Sequence, residues 1–305
     1  MIQFLVGTNF PFMKYRRYTY VFSGLIILAT IAWLVIHRGP RYSVDFTGGD
    51  LLQVRASRVL PADEVRKALD AGGVRDYELQ QMSGQNANEF MIRAQVREGQ
   101  DLFPVVQQAV QSRIPGVTVE LRRTERVGPK VGSELRQKAV WAVLMSLGSI
   151  LLYVGFRYEF KFALGAVVAL FHDVFVTLGM LCFTHREVSL TVLAALLTIA
   201  GYSINDTIVV FDRIRERSKA LRKEKHSRAM DIAVNETLSR TVITAFTVFL
   251  TALALFLWGG EVLRDFSFAM LVGVVFGTYS SVYVASAVAL DIWIALDRRK
   301  GVQAE

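Results

Sequence analysis

The chain has 305 residues, of which 52% are hydrophobic and 20% are charged, with 35 Lys and Arg against 27 Asp and Glu. The charges are unevenly placed: residues 38–138 hold 29 of them and residues 212–240 hold 14, whereas several windows of about 20 residues hold almost none. Such windows exclude an ordinary soluble globular protein and predict a membrane protein. The single Cys182 excludes an internal disulfide and a cysteine-based metal or redox site.

Six apolar segments are long enough to cross a bilayer, which takes roughly 20 helical residues. They are predicted at 18–36, 139–156, 160–183, 188–211, 241–258 and 266–290. One set of short connections and termini carries seventeen Lys and Arg, and the alternate set carries only Arg186 and Arg264. Because positive residues stay in the cytoplasm, both termini are predicted to be cytoplasmic.

These spans divide the chain into five predicted regions. They are a cytoplasmic N-terminus at 1–17, a first transmembrane helix at 18–36, an extracytoplasmic domain at 37–138, a five-helix transmembrane bundle at 139–298 with a cytoplasmic loop at 212–240, and a cytoplasmic tail at 299–305. The sixteen Lys and Arg of the large domain do not oppose this orientation, because long domains cross the membrane regardless of charge.

The period of the apolar residues in the extracytoplasmic domain switches between two and about 3.6, which predicts a mixed α/β unit. The expected elements are a strand around Leu52 and Val54, a helix from 61 to 71, strands at 77–82 and 90–96 joined by a turn at 83–86, a helix at 102–110 and a strand from Val117 to Leu121. The order β-α-β-β-α-β is that of a ferredoxin-like domain. The domain contains no catalytic cluster, so a binding or moving module is favoured over an enzyme.

No sequence motif for nucleotide or hydrolytic chemistry is present. The nearest approach to a phosphate-binding loop, at 128–132, has its lysine between the glycines and lacks a strand-to-helix setting. The four histidines are scattered, and neither HExxH nor GxSxG occurs. We therefore expect no enzyme activity, no metal and no cofactor, and any energy that the protein uses must come from elsewhere.

Small residues recur every four positions along the sixth span. They are Gly273, Gly277, Ser281, Ala285 and Ala289. Such a stripe lets helix backbones approach closely in lipid, so it predicts a helix-packing face. We expect this face to be exposed to lipid in the isolated chain and to receive a helix of a partner subunit.

Asp173 lies about thirteen residues into the third span, close to the bilayer midplane and next to His172. An acid at this depth is costly unless it is protonated or paired. Two interpretations stay open: a neutral carboxyl group bonded to a neighbouring helix, or a part of a proton pathway.

Asp206 lies in the fourth span, and Arg240 opens the fifth. Each continues a polar face at helical spacing: Thr198 and Tyr202 precede Asp206, and Thr244, Thr247 and Thr251 follow Arg240. The two faces predict that the helices meet and that the two charges form a functional pair. The alternative is that both side chains extend to the cytoplasmic interface. The basic segment between them is suited to anionic lipid or to water.

Five motifs, taken in order, resemble those of the SecF subunits of the bacterial protein-export machinery. They are DFTGG at 45–49, VGPKVGSEL at 127–135, FHDV at 171–174, GYSINDTIVVFDRIRE at 201–216 and LSRTVIT at 238–244. The resemblance extends from about residue 14 to residue 295, and it implies a subunit that pairs with SecD in a twelve-span unit similar to proton-driven permeases of the resistance-nodulation-division type.

The resemblance further implies that the pair uses the proton motive force to draw preproteins out of the SecYEG channel after SecA has pushed them in. It places the family's proposed proton pathway on Asp206 and Arg240 and the protein in the bacterial inner membrane. The expected partners are SecD, SecYEG, SecA indirectly, the preprotein and membrane lipid, with no nucleic acid. Two alternatives remain: a structural assembly subunit, and a half-size proton-driven exporter of small molecules or lipids.

Overall fold

The computed structural model describes residues 7–74, 77–82, 87–94 and 101–299. They form two units, one of Tyr42–Val140 and one that joins the chain before it to the chain after it. The predicted domain at 37–138 thus begins and ends within a few residues of the smaller unit. Several predicted segments lie outside the described residues. They are part of the cytoplasmic N-terminus at 1–17, the turn at 83–86, the end of the strand at 90–96 and most of the tail at 299–305.

In its described residues, the smaller unit contains a four-stranded sheet, two helices that pack on it and one short helix before it. Its elements are α2 (Val44–Thr47), β1 (Gly49–Ala56), α3 (Ala62–Ala71), β2 (Tyr77–Gln81), β3 (Glu89–Ala94), α4 (Leu102–Arg113) and β4 (Val119–Val127). The strand order is β2-β3-β1-β4, with antiparallel pairing at each junction. The β-α-β-β-α-β order and the α/β class predicted from the sequence are confirmed.

The core of this unit forms where one face of the sheet meets α3 and α4. Alternate residues of β1 are buried, and they pack with Val65, Ala68 and Leu69 of α3 and Val106 of α4. The short α2 was not predicted. The Ser43 side chain caps its start by accepting from the Asp45 N–H, and Gly48 ends it with a φ of 73°.

Among the described residues of this unit, two carboxylates are buried, and each is bound by an arginine. Glu89 accepts from Arg55 Nε at 2.8 Å and from Gln53 Nε2 at 2.7 Å. Burial alone would raise the pKa of Glu89, but the hydrogen bonds from Gln53 and Arg55 and the charge of Arg55 outweigh burial and lower it. Asp50 accepts two hydrogen bonds from Arg126, at 2.8 and 2.7 Å.

The larger unit is helical, and six helical stretches of the described residues are long and apolar enough to span a membrane. They are α1 (Arg16–Ile36), α5 (Pro129–Arg157), α6 (Phe160–Phe183), α7 (Leu190–Ala220), α8 (His226–Trp258) and a sixth stretch made of α9 (Glu261–Tyr279), a π-helical segment (Ser280–Ala285) and α10 (Ser286–Arg299). The predicted six-span α-helical class is therefore confirmed. The π-helical segment was not predicted.

The predicted loop at 212–240 is wrong, because both flanking helices continue and leave only 221–225 to connect them. The extensions pack as a helical hairpin in which Ile214, Met230 and Ala233 are buried. Glu236 of α8 accepts from Arg213 and Arg217 of α7, at 2.7 Å each. The many charges suggested a loop, but at helical spacing they occupy one side and leave an apolar side to pack.

The interior of the larger unit lies between α6, α7 and the sixth helical stretch. Just over half of the apolar window of α6 and of the sixth stretch is buried, whereas α1, α5 and α8 bury only 11% of theirs. Gly165 of α6 allows close packing here, since a Cβ at Gly165 would lie 2.6 Å from the Ala285 carbonyl oxygen. The buried acids of the spans lie on these inner helices.

Candidate functional site

Asp206 is buried in α7, with 8% of the residue exposed. Its carboxyl group accepts two hydrogen bonds from two other helices. Thr241 of α8 donates to Oδ1 at 2.8 Å, and Ser281 of the π-helical segment donates to Oδ2 at 2.6 Å. Both donors are neutral hydroxyl groups, so the acid is satisfied without a counter-charge.

Arg240 does not contact Asp206. In the part of the chain that the structure describes, no ion pair or hydrogen bond joins the two residues, and the Arg240 side chain is exposed. The reason is helical geometry: neighbouring residues lie 100° apart around a helix, so Thr241 reaches α7 while Arg240 points away. The structure brings the predicted helices together, but through the residue next to the predicted one.

Asp173 is fully enclosed in α6. Its Oδ1 lies 2.9 Å from His172 Nδ1, and its Oδ2 accepts from Ser280 at 2.7 Å and from Ser203 of α7. His172 is 3% exposed, and its Nε2 has no hydrogen-bond partner among the described residues. Asp173 is thus bonded to a neighbouring helix, as the first interpretation of the sequence proposed, and this geometry leaves its protonation state open.

Sequence reasoning missed three of these hydroxyl partners. Ser203, Thr241 and Ser280 were not predicted, and Ser281 was predicted only as a small packing residue. A signal was available in the run Thr278-Tyr279-Ser280-Ser281, four polar residues within an apolar span. The consecutive serines Ser280 and Ser281 bind Asp173 and Asp206, respectively.

Comparison with known proteins identifies the chain's relatives. The family model for "Protein export membrane protein SecD/SecF, C-terminal" matches residues 106–294. The chain is 43% identical over 297 residues to the protein translocase subunit SecF of Vibrio alginolyticus, covering 96% of this chain and 93% of that protein. It is 39% identical to the SecF subunit of Escherichia coli O157:H7 over 93% of this chain and 88% of that one.

This chain belongs to the SecF family of protein-export membrane proteins. A crystal structure of SecDF from Thermus thermophilus matches it with a TM-score of 0.84 and 38% identity, over 95% of this chain and 39% of that one. SecDF in a form named super-membrane-facing matches with a TM-score of 0.74 and 37% identity. The SecF-family chain thus spans about two-fifths of SecDF, and the family predicted from the five motifs is confirmed.

The small-residue stripe of this SecF-family chain packs inside the chain. A Cβ at Gly273 would lie 2.3 Å from the Ile199 side chain of α7, and one at Gly277 would lie 3.4 Å from Ser203. Ser281 is fully buried. The expectation that the stripe is exposed to lipid to receive a partner subunit is therefore wrong, because α7 of the same chain occupies it.

Several polar residues of the spans are exposed on α7 and α8. Arg240 shares its exposed face of α8 with Thr244, Thr247 and Thr251, and α7 exposes Thr198 and Asn205. We call these six residues the polar band. Arginine and asparagine are costly against lipid tails, so such residues normally face a protein or a water-filled cavity. The polar band is therefore a surface suited to contact with protein or water rather than with lipid tails.

The site carries acid-base groups and hydroxyl groups, and it offers no metal-binding arrangement. Across residues 7–74, 77–82, 87–94 and 101–299, no three His, Cys, Asp or Glu side chains cluster in a way that could hold a metal ion. Two buried carboxyl groups with hydroxyl partners can gain or lose a proton without losing their hydrogen bonds, because a hydroxyl group both donates and accepts.

Proposed function

We propose that this SecF-family chain is a proton-coupled subunit of the protein-export machinery, acting with SecD to promote preprotein movement across the bacterial inner membrane. The observation that carries the proposal is Asp206, a buried acid in an apolar span whose two bonded partners are hydroxyl groups. The role is that of a transport component rather than of an enzyme.

The environment of Asp206 suits both the ionised and the protonated acid. The Thr241 and Ser281 hydroxyl groups can donate to the carboxylate or, after rotation, accept from the protonated acid. A cation that approaches Asp206 would favour the ionised form.

Arg240 is the cation that, by approaching Asp206, would favour the ionised form of this acid. It lies one residue from Thr241, and its exposed position leaves it able to move without breaking an ion pair in the described residues. In this proposal Arg240 moves toward Asp206 when the proton leaves and away when a proton arrives. Each charge that crosses 100 mV supplies about 2.3 kcal/mol, which biases a two-state movement by roughly fiftyfold.

SecD is the partner that we assign to the polar band. The relatives named SecDF hold a chain in which a segment similar to this one makes up 39% of the length. A second six-span subunit would cover Arg240, Asn205 and the exposed threonines and would remove them from lipid. Contacts with the SecYEG channel, with the preprotein and, indirectly, with SecA would follow from this assembly.

The charge pattern supports an orientation with both termini in the cytoplasm and Tyr42–Val140 on the opposite side. The helical hairpin formed by the ends of α7 and α8 carries exposed basic residues, among them Arg222, Lys223 and Lys225. These residues suit the anionic lipid of the cytoplasmic leaflet. In this orientation the smaller unit lies on the side of the membrane where the preprotein emerges.

The experiment compares preprotein export into inverted membrane vesicles with and without an uncoupler. Asp206→Asn keeps the size and the hydrogen bonds of the side chain but removes its titration. We expect this variant and Arg240→Met to assemble with SecD at normal levels, to lose uncoupler-sensitive export and to keep export driven by ATP alone. Asp212→Asn, the same change at a half-exposed acid of α7, is the matched control and should keep both kinds of export.

Uncoupler-sensitive export that survives in Asp206→Asn vesicles would overturn the proposal. The chain would then serve as an assembly subunit, with its buried acids acting only as bonds between helices. Loss of ATP-driven export in the same vesicles would also count against it, because a coupling acid is not needed for that step.

A further inference from the structure

Two consecutive residues of the π-helical segment bind the two buried acids of the spans. Ser280 donates to Asp173 Oδ2 at 2.7 Å, and Ser281 donates to Asp206 Oδ2 at 2.6 Å. Both serines are fully buried. One peptide bond therefore separates the hydroxyl partner of an acid in α6 from the hydroxyl partner of an acid in α7.

Each serine also has a second acceptor in its own helix. Ser280 Oγ lies 3.0 Å from the Gly277 carbonyl oxygen, and Ser281 Oγ lies 3.0 Å from the Thr278 carbonyl oxygen. A hydroxyl group has a single proton to donate but two lone pairs that accept. When the acid is ionised, the serine proton points to the carboxylate; when the acid is protonated, the serine can accept from it and turn its own proton to the helix carbonyl.

The backbone makes the two serines depend on each other. Single π-type turns inside α-helices are rare and occur often at functional sites. Here the backbone from Ser280 to Ala285 is π-helical, and the Ser286 hydroxyl group donates to the Ser281 carbonyl oxygen at 3.1 Å. A shift of this turn that moves Ser281 relative to Asp206 also moves Ser280 relative to Asp173.

We propose that Ser280 and Ser281 are positioning residues that couple the protonation of Asp173 to that of Asp206 through the π-helical segment. This inference rests on the proposed function and deepens it. The chain then has two linked proton sites, Asp173 and Asp206, rather than one. His172 belongs to the second site, because its Nδ1 lies 2.9 Å from Asp173 Oδ1.

The proton balance of the step is simple. A proton that binds Asp206 forms an O–H group that donates to Ser281 Oγ, and the Ser281 proton turns to the Thr278 carbonyl oxygen. No proton passes from one serine to the other; the coupling is through their positions. Among the described residues, His172 bonds Asp173, and the Tyr279 ring lies 5.8 Å from the His172 ring. Tyr202 lies close to Asp206, and Arg240 is next in sequence to Thr241, a partner of Asp206.

The test measures protonation directly rather than export. Membranes that contain the full chain with SecD are treated with a hydrophobic carbodiimide, which reacts with protonated carboxyl groups, over a series of pH values. Mass spectrometry then gives the pH midpoint of labelling at Asp206. We expect Asp173→Asn to move this midpoint by about half a pH unit or more, a threefold change in proton affinity.

The second measurement repeats Asp173→Asn in chains that lack the hydroxyl group of Ser280 or Ser281. In Ser281→Ala or Ser280→Ala chains, Asp173→Asn should no longer move the Asp206 midpoint, and Ser281→Thr should restore the shift. Ser267→Ala is the matched control, because Ser267 is a fully buried serine of α9 that bonds only its own helix, at the Leu263 and Arg264 carbonyls. Ser281→Gly gives a second hydroxyl-free chain should Ser281→Ala fail to assemble.

An undiminished shift in the Ser280→Ala and Ser281→Ala chains would overturn the inference, since the two acids would then interact through space alone. An Asp206 midpoint that Asp173→Asn leaves unchanged in the wild-type background would overturn it as well. Neither result touches the proposed function, which fails only if Asp206→Asn vesicles keep uncoupler-sensitive export.

Discussion

Buried carboxyl groups are held in two different ways in the two units of the chain. In the unit of Tyr42–Val140, arginines bind them: Arg55 with Glu89 and Arg126 with Asp50. In the membrane spans, hydroxyl groups bind Asp206, and Asp173 adds a histidine to its two serines. An arginine only donates and keeps its charge, so it fixes the acid in its ionised form. A hydroxyl group accepts as well as donates, so it tolerates both forms.

Under the proposed function, this difference separates acids that stabilise the fold from acids that gain and lose protons during transport. Glu89 carries a lowered pKa and stays ionised at neutral pH, as a structural group should. The span acids lie in apolar helices, where an arginine close by would lock them in one state. Arg240 is only one residue from Thr241, but the rotation of α8 keeps it apart from Asp206 in this structure, and no arginine fixes the charge of that acid.

The largest expected effect is that of removing the most enclosed acid. Asp173→Leu leaves the hydroxyl of Ser203 and the Nδ1 of His172 without their acceptor, which should cost about 3 kcal/mol or more of stability. Thermal melting of the complex in mild detergent measures the loss. Asp173→Asn, which keeps the shape and the acceptor, is the control and should melt close to the wild type; equal melting of the Leu variant would contradict the prediction.

A smaller effect is expected at Glu89, the arginine-held acid. Glu89→Gln replaces charged hydrogen bonds to the half-exposed Arg55 with neutral ones, which should lower the stability of the sheet by about 1–2 kcal/mol. Hydrogen exchange of the β1 and β3 amides should then rise roughly tenfold. Uncoupler-sensitive export should not change, because this acid does not titrate in the cycle.

The exposed Glu120 of β4 supplies the control for this change. Its carboxylate lies 4.0 Å from Arg122, and most of the side chain is exposed, so Glu120→Gln should alter exchange little. If Glu89→Gln abolished coupled export while the complex assembled normally, the division into structural and working acids would be wrong.

The lowered pKa of Glu89 predicts that the stability of the sheet depends on pH. Because folding lowers the pKa of Glu89 below its ordinary value of 4.5, its contribution is present above that value and is lost as the pH falls through the folded pKa. The difference in β3 exchange between the wild type and Glu89→Gln should therefore be constant from pH 8 to about pH 5 and shrink below about pH 4. A difference that grew on acidification would reverse the sign of this argument.

The smallest effect is expected for a single hydroxyl partner. Thr241→Val removes the donor to Asp206 Oδ1 but leaves Ser281, so uncoupler-sensitive export should fall by about two- to fivefold rather than disappear. Thr241→Ser should restore it. Thr237→Val is the matched control on the same helix, since the Thr237 hydroxyl bonds only the Ala233 and Val234 carbonyls. Equal losses in both valine variants would show a packing effect.

The periodic features of the sequence predicted the number of spans and the order of the main elements in the smaller unit. The length of the apolar runs predicted the six spans, and α6 agrees with its predicted bounds at 160–183. The alternation between periods of two and about 3.6 predicted the strand and helix order of the smaller unit. Both features report on the environment of one element at a time, and this is why they can be read without knowing what lies next to it.

Only the tertiary structure decided which side chains contact the predicted site and packing residues. The spacing of Gly273, Gly277 and Ser281 predicted a packing face but not that α7 of the same chain fills it. Likewise, the sequence placed Asp206 and Arg240 on facing helices, but only the rotation of α8 shows that Thr241 makes the contact. A helical pattern fixes which side chains share a face. Which helix meets this face depends on contacts between residues far apart in the chain. The π-helical segment, in which Ser280 and Ser281 bind different acids, makes such contacts.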